Sequence, residues 1–187
     1  MRALLTAIAL LAAPQSPTEA LKARDAEIRA ALPPPGREAT APERNRLEKI
    51  ITQSIDMRAM AEDALGQRWG KMSEKQRKRL IAAFEKRFRS AGSDQLDSYR
   101  DTQIEYRPEE RAEGGAIQVP TRVVIKGEPT EIIYTMRQEG DDWRIVDITV
   151  DGVSTVENYR SSFSRVIAKE GVDGLISRLE KGPAKRS

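Results

Sequence analysis

Few side chains in this sequence could carry out catalysis. Its 187 residues include no cysteine and no histidine, which excludes thiol chemistry, disulfide bonds and the commonest general acid–base catalyst. A metal site would need oxygen ligands alone. The sequence also contains no glycine-rich phosphate loop, nucleophile elbow or metal-ligand spacing. It therefore favours a binding protein over an enzyme, and it predicts no catalytic residue, no metal and no cofactor.

Carboxylates are the remaining candidates for a general base. Glu109-Glu110 and Asp141-Asp142 are adjacent pairs in turn-like sequence, and neighbours in an extended chain point to opposite faces, so we expect solvated turns. Asp147 differs, because strand alternation puts it on the same face as Trp143 and Ile145. A partly buried acid there could be a base with a raised pKa. Pairing with a nearby cation or a backbone donor is the commoner outcome, and we expect it here.

The first twenty residues have the pattern of a secretory signal peptide. Arg2 precedes an apolar run from Ala3 to Ala13, which is too short to span a bilayer as a helix. Small residues at Thr18 and Ala20 predict cleavage after Ala20, so the signal peptide is residues 1–20. Without a cysteine the mature chain has no site for an N-terminal lipid anchor, and we expect a soluble periplasmic protein.

The rest of the chain suits one folded domain with short flanking segments. Residues 21–41 predict an N-terminal helix and a proline-rich linker, because Pro33-Pro34-Pro35-Gly36 cannot continue a helix. The domain itself is predicted at residues 42–182, followed by a basic tail at 183–187. Within it, Ser73-Glu74-Lys75-Gln76 and Ser154-Thr155-Val156-Glu157 are capping boxes that each open an amphipathic helix.

Between the two capping boxes the apolar pattern changes to strand alternation. It begins near Ile104, continues from Ile117, and is interrupted by turns at Gly127-Glu128-Pro129 and Gly140-Asp141-Asp142. Strands this close together pair antiparallel. The predicted fold class is therefore α+β, with helices packed on a twisted four-stranded antiparallel sheet.

Basic residues are concentrated between Arg68 and Arg89. This stretch carries nine Lys and Arg and two Glu, a local balance of +7. Such a block could meet anionic lipid headgroups or an acidic protein surface, or it could be the solvated face of a helix. Nucleic acid is not an expected partner, because the aromatic residues here fall on the apolar side of the helix.

Several short motifs occur in an order that resembles a known family. Leu65-Gly66 and Trp69 precede the first capping box, and Trp143-Arg144-Ile145-Val146-Asp147 ends the strand region. The most specific motifs follow, and they are Asp151-Gly152-Val153-Ser154 and Asn158-Tyr159-Arg160-Ser161. From about Ile51 to Lys181 the chain resembles the MlaC family of periplasmic phospholipid-binding proteins, also called toluene-tolerance auxiliary transport components.

The resemblance implies a helix-and-sheet scaffold that encloses an apolar pocket for acyl chains. It also implies a carrier that moves phospholipid between an outer-membrane complex with an MlaA-like lipoprotein and an inner-membrane ABC transporter complex with a substrate-binding MlaD-like component. Such a carrier maintains outer-membrane lipid asymmetry, and phospholipid is its cargo rather than a cofactor. The apolar side chains expected to bind lipid are Met60, Leu65, Trp69, Phe84, Phe88, Tyr99, Val119, Val123, Ile125, Ile132, Tyr134, Met136, Val156, Tyr159 and Phe163.

Arg160 is a charged residue within one of the motifs that resemble the family, and its role can be predicted. It lies just after the second capping box, next to Tyr159. We expect it to form a structural ion pair, with Asp147 or Asp151, and not to bind a lipid headgroup.

Two alternatives remain open from the sequence alone. One is a relative of the same family that carries a hopanoid or another apolar lipid. The other is a small α+β enzyme whose fold resembles nuclear transport factor 2, with Asp147 as its base. The apolar stripes also suit an ordinary core, so periodicity alone does not separate a core from a cavity.

Overall fold

The computed structural model describes residues 16–92, 99–100, 102–125 and 127–181. Within these ranges helices come first, an antiparallel sheet follows, and a long helix ends the chain, which confirms the predicted α+β class. The apolar run of the predicted signal peptide and the predicted basic tail lie outside the described residues. The predicted cleavage point after Ala20 falls in the first helix, near its start.

Five helices precede the sheet in the described part of the chain. They are α1 (Pro17–Ala31), α2 (Ala41–Gln53), α3 (Met57–Leu65), α4 (Gln67–Gly70) and α5 (Glu74–Gly92). The proline-rich segment lies between α1 and α2. The first predicted capping box is confirmed, because the Gln76 backbone N–H donates to Ser73 Oγ at 3.2 Å and the Ser73 N–H donates to Gln76 Oε1 at 3.0 Å.

The sheet has six strands rather than the predicted four. They are β1 (Glu105–Tyr106), β2 (Glu110–Arg111), β3 (Ile117–Ile125), β4 (Glu128–Glu139), β5 (Asp142–Val150) and β6 (Val153–Ser154). All pairs are antiparallel in the order β1-β3-β4-β5-β6, with β2 also paired to β3. The two strands missed by sequence reasoning, β2 and β6, are two residues long, which is too short to produce an alternating pattern.

A β-bulge lies between β4 and β5. Thr135 faces Asp147, but the next residue, Met136, faces Ile145, so Val146 is the extra residue of β5. Asp147 and Ile145 therefore point to opposite faces of the sheet. The prediction that they share a face was wrong. Strict alternation assumes a regular strand, and the sequence gives no sign of the residue that the bulge inserts.

The last helix, α6 (Thr155–Lys181), is interrupted at Gly171. Gly171 has φ 71°, a left-handed conformation that glycine adopts without steric cost, so two helical segments follow one another as predicted. Among the described helices, none combines the length and apolar character needed to cross a bilayer.

The hydrophobic core lies where α3, α5 and α6 pack on one another and on β5. Met60 of α3, Leu80 and Phe84 of α5, and Ile176 of α6 are fully buried. The Phe84 ring meets Tyr159 of α6 edge-on, with ring centroids 4.6 Å apart. This packing occupies part of the sheet face and leaves the rest of it for the site described next.

Candidate functional site

An apolar cavity of about 430 Å³ lies between the sheet and helices α1, α2 and α5. Its volume is within the usual range for small-molecule pockets, roughly 300–1,000 Å³. Aliphatic side chains make up most of its wall, with one phenylalanine from α5. The apolar lining residues are Leu21, Ile28, Ile51, Ile55, Phe88, Ile104, Val123, Val124, Ile125, Ile132, Ile145 and Ile148.

The strand register explains how the sheet contributes to this wall. Thr121 of β3 faces Ile132 of β4, and Val119 faces Tyr134, so the alternate residues of both strands share one face. At one end of that face Val119 and Met136 are buried in the core. Towards the β3–β4 turn, residues on the same face line the cavity instead. One face of the sheet thus supplies both the core and the cavity wall.

The structure brings six of the fifteen predicted lipid-binding residues together at the cavity. These six are Phe88, Tyr99, Val123, Ile125, Ile132 and Tyr134. The other nine pack within or against the hydrophobic core, away from the cavity lining, and they are Met60, Leu65, Trp69, Phe84, Val119, Met136, Val156, Tyr159 and Phe163.

Sequence reasoning missed the contribution of the N-terminal helices. Leu21, Asp25 and Ile28 of α1 line the cavity, and Ile51 of α2 joins them. The signal was present, because residues 21, 25 and 28 have the i, i+4, i+7 spacing of one helix face. The motifs of the family resemblance begin near Ile51, so they carry no information about this helix.

A polar cluster ties α1 to Tyr99, Arg100 and Thr102 beside the cavity. The Tyr99 hydroxyl donates to Asp25 Oδ1 at 2.5 Å, and Arg29 Nε donates to both Asp25 carboxylate oxygens at 3.0 and 2.9 Å. Arg29 also donates to the backbone carbonyls of Arg100 and Thr102, each at 2.7 Å. These charge-assisted bonds hold the three residues against α1, at one side of the cavity.

Three tyrosines line the cavity near this cluster. Burial, together with the nearby Asp25 carboxylate, raises the pKa of Tyr134 to about 12 and that of Tyr106 to about 12. Burial and the hydrogen bond to Asp25 raise the pKa of Tyr99 above its ordinary value. All three side chains are therefore neutral O–H donors at physiological pH.

Asp147 has a structural role at the start of α6. Its carboxylate accepts hydrogen bonds from Ser154 Oγ at 2.5 Å, from the Val156 N–H at 3.0 Å and from the Ile148 N–H at 2.8 Å. It therefore caps the helix, as the backbone-donor interpretation predicted. Asp147 does not line the cavity. Within the part of the chain that the structure describes, no cluster of three or more acidic residues could hold a metal ion.

Arg160 binds different partners from those predicted. Its Nε and Nη2 donate to the Asp63 carbonyl, near the end of α3, at 3.2 and 2.8 Å, and its Nη1 pairs with Glu157 at 2.5 Å. The predicted ion pair with Asp147 or Asp151 was wrong. Asp147 is used as a helix cap, and Asp151 accepts from the Glu131 N–H at 2.9 Å.

Much of the basic stretch from Arg68 to Arg89 is bound to this chain itself. The Arg77 guanidinium lies over the Trp69 ring, 5.2 Å from its centroid, and Arg79 makes a bidentate ion pair with Glu180 of α6 at 3.0 and 2.9 Å. Two further ion pairs join residues within α5, Lys78 with Glu74 and Arg89 with Glu85. These contacts favour the solvated helix face over a dedicated headgroup surface.

The fold and cavity define a class of protein in which helices and an open antiparallel sheet enclose an apolar binding site. Within that class the chain belongs to the MlaC family, whose model, described as MlaC protein, matches residues 35–181. The resemblance seen in the motifs is therefore confirmed. A phospholipid-binding protein from Ralstonia solanacearum, solved in complex with a phospholipid, has a similar fold, with a TM-score of 0.75 and 22% identity over 87% of this chain and 93% of that chain. No curated protein matches the sequence.

Proposed function

We propose that this protein is a periplasmic phospholipid carrier. It would shuttle lipid between an outer-membrane complex and an inner-membrane ABC transporter complex, and so maintain outer-membrane lipid asymmetry. The observation that carries the proposal is the apolar cavity of about 430 Å³ between the sheet and α1, α2 and α5. Membership of the MlaC family supports it, as does the similar fold of a protein solved with a phospholipid.

The hydrophobic effect explains why a carrier of this kind is needed. Exposing about 30 methylenes of a two-chain lipid to water costs on the order of 25 kcal/mol, at about 0.8 kcal/mol each. A lipid monomer therefore does not cross an aqueous compartment unaided. An apolar cavity replaces that contact with water while the headgroup stays outside. Such transport needs no catalytic group, which agrees with a sequence that contains no cysteine and no histidine.

The remaining parts of the proposal concern location and partners. Export would follow from the signal peptide at residues 1–20. The partners would be an MlaA-like lipoprotein complex at the outer membrane and an MlaD-like component of the ABC transporter at the inner membrane. The binding unit would include α1, because Leu21 and Ile28 line the cavity.

The bound cargo tests the proposal directly. Mature protein purified from the periplasm is extracted with organic solvent, and the extract is analysed by mass spectrometry. We expect a diacyl phospholipid in near-stoichiometric amount. A hopanoid or another apolar lipid in its place would support the alternative carrier. Protein that neither retains lipid nor takes it up from vesicles would contradict the proposal.

Arg160 should affect stability and not cargo. Arg160→Ala removes the bonds to the Asp63 carbonyl, and we expect the free energy of unfolding to fall by about 1 kcal/mol, because both partners are partly solvated. That loss corresponds to a melting temperature lower by roughly 3 °C. Co-purified lipid should stay at the wild-type amount.

Arg165→Ala is the matched control for Arg160→Ala. Arg165 is an exposed arginine of α6 for which the described part of the chain provides no ion pair or hydrogen bond. Thermal unfolding and lipid content are measured for both variants. If Arg160→Ala loses lipid but keeps its melting temperature, Arg160 belongs to the ligand site instead.

A further inference from the structure

Two tyrosine hydroxyls at the cavity wall have no hydrogen-bond partner in the described portion of the chain. Tyr106 of β1 and Tyr134 of β4 both line the cavity. They flank β3, where Tyr106 faces Thr121 and Tyr134 faces Val119, so both side chains lie on the same face of the sheet. Their backbones are roughly 12 Å apart, because two strand spacings across the sheet combine with an offset of two residues along it.

Both tyrosines are partly buried in the cavity wall, and a ligand in the cavity would displace the water that could otherwise accept from their hydroxyls, so the ligand must supply the acceptors. Tyr99 provides the contrast, because its hydroxyl already donates to Asp25. Tyr134 occupies the middle of β4, with strands paired on both sides of it. The Tyr134 hydroxyl is therefore a hydrogen-bond donor next to any ligand in the cavity.

The charged side chains that line the cavity favour a neutral acceptor, and Lys22, whose Nζ lies 5.2 Å from the centroid of the Tyr106 ring, is outside that lining. Arg29 neutralises the Asp25 carboxylate, and Arg24, which also lines the cavity, pairs with Glu27 at 2.7 Å. Both cavity-lining charges therefore already have an opposite charge beside them. A phosphate near the tyrosines would be repelled by the Asp25 carboxylate. A headgroup amine would gain little from the same carboxylate, because Arg29 already pairs with it.

We infer that Tyr106 and Tyr134 donate hydrogen bonds to the two ester carbonyl oxygens of a diacylglycerol lipid whose chains occupy the cavity. The inference rests on the proposed function. Ester carbonyls are the neutral acceptors that lie between the acyl chains and the headgroup. The pair of tyrosines therefore makes the cavity specific for ester-linked glycerolipids over dialkyl ether lipids, because an ether analogue leaves both donors without those acceptors.

A competition between two lipids that differ only in this linkage tests the inference. The wild-type protein, freed of lipid, is incubated with vesicles that contain equal amounts of diacyl and dialkyl phosphatidylcholine of identical chain length. The protein is reisolated, and the ratio of the two bound lipids is measured by mass spectrometry. A neutral hydrogen bond corresponds to roughly a three- to tenfold preference, so we expect at least about tenfold for two.

The Tyr106→Phe/Tyr134→Phe double variant should bring this ratio close to one, while each single variant gives an intermediate value. The ratio is insensitive to partial loss of folded protein, because it compares two lipids on the same molecules. Tyr159→Phe, which removes a hydroxyl outside the cavity lining, should keep the wild-type ratio.

Two results would overturn the inference and leave lipid carriage intact. One is a wild-type ratio near one, and the other is a wild-type preference that survives in the double variant. Recovery of neither lipid from the wild-type protein would instead contradict the proposed function, and the inference with it.

Discussion

Val123→Glu is expected to reduce bound lipid at least tenfold while the protein stays folded. Val123 lines the cavity on β3 and is only 5% exposed. An ionised carboxylate at this position cannot share the cavity with acyl chains without losing its hydration, which is far more costly than burying a neutral group. When no lipid is bound the carboxylate can reach water, because Ile125, the next cavity-lining residue on the same face of β3, is partly exposed.

Val153→Glu is the matched control for this variant. Val153 is a valine of the same sheet, on β6, but it is 63% exposed and does not line the cavity. Lipid is extracted and quantified per mole of protein, and circular dichroism reports the fold of each variant. If folded Val123→Glu retains as much lipid as Val153→Glu, the cavity does not hold the acyl chains.

The order of elements and the fold class follow from the sequence because local signals agree. Ser73 and Gln76 start α5, Gly171 interrupts α6, and the period-two pattern marks β3 to β5. The bulge at Val146 does not follow from the sequence, because it depends on how β4 and β5 pair. One extra residue was enough to move Asp147 to the opposite face from Ile145.

The sequence identifies candidate site residues but does not divide them between core and cavity. Val119 and Val123 lie on the same face of β3, four residues apart. Val119 nevertheless packs in the core, whereas Val123 lines the cavity. The difference arises from which helix covers each end of the sheet. That covering is a tertiary feature, and alternation along a single strand carries no information about it.

The same division of roles can be measured on one helix, with Phe84 and Phe88. Phe84 is fully buried and packs against Tyr159 and Phe163, with ring centroids 4.6 and 5.8 Å apart. Phe84→Ala should therefore lower the free energy of unfolding by about 3–5 kcal/mol, through lost transfer free energy and the space left in the core. The corresponding fall in melting temperature is roughly 10 °C or more.

Phe88 lies one turn later on α5, is partly exposed and lines the cavity. Phe88→Ala should lower the free energy of unfolding by only about 1 kcal/mol, because its ring borders a cavity and not a packed core, but it should reduce bound lipid several-fold. Urea denaturation is carried out on lipid-free protein, since a bound ligand adds its own stabilisation. Lipid recovered from the folded fraction is measured separately. Equal stability losses for the two variants, with equal lipid contents, would mean that α5 has no boundary between core and cavity at this turn.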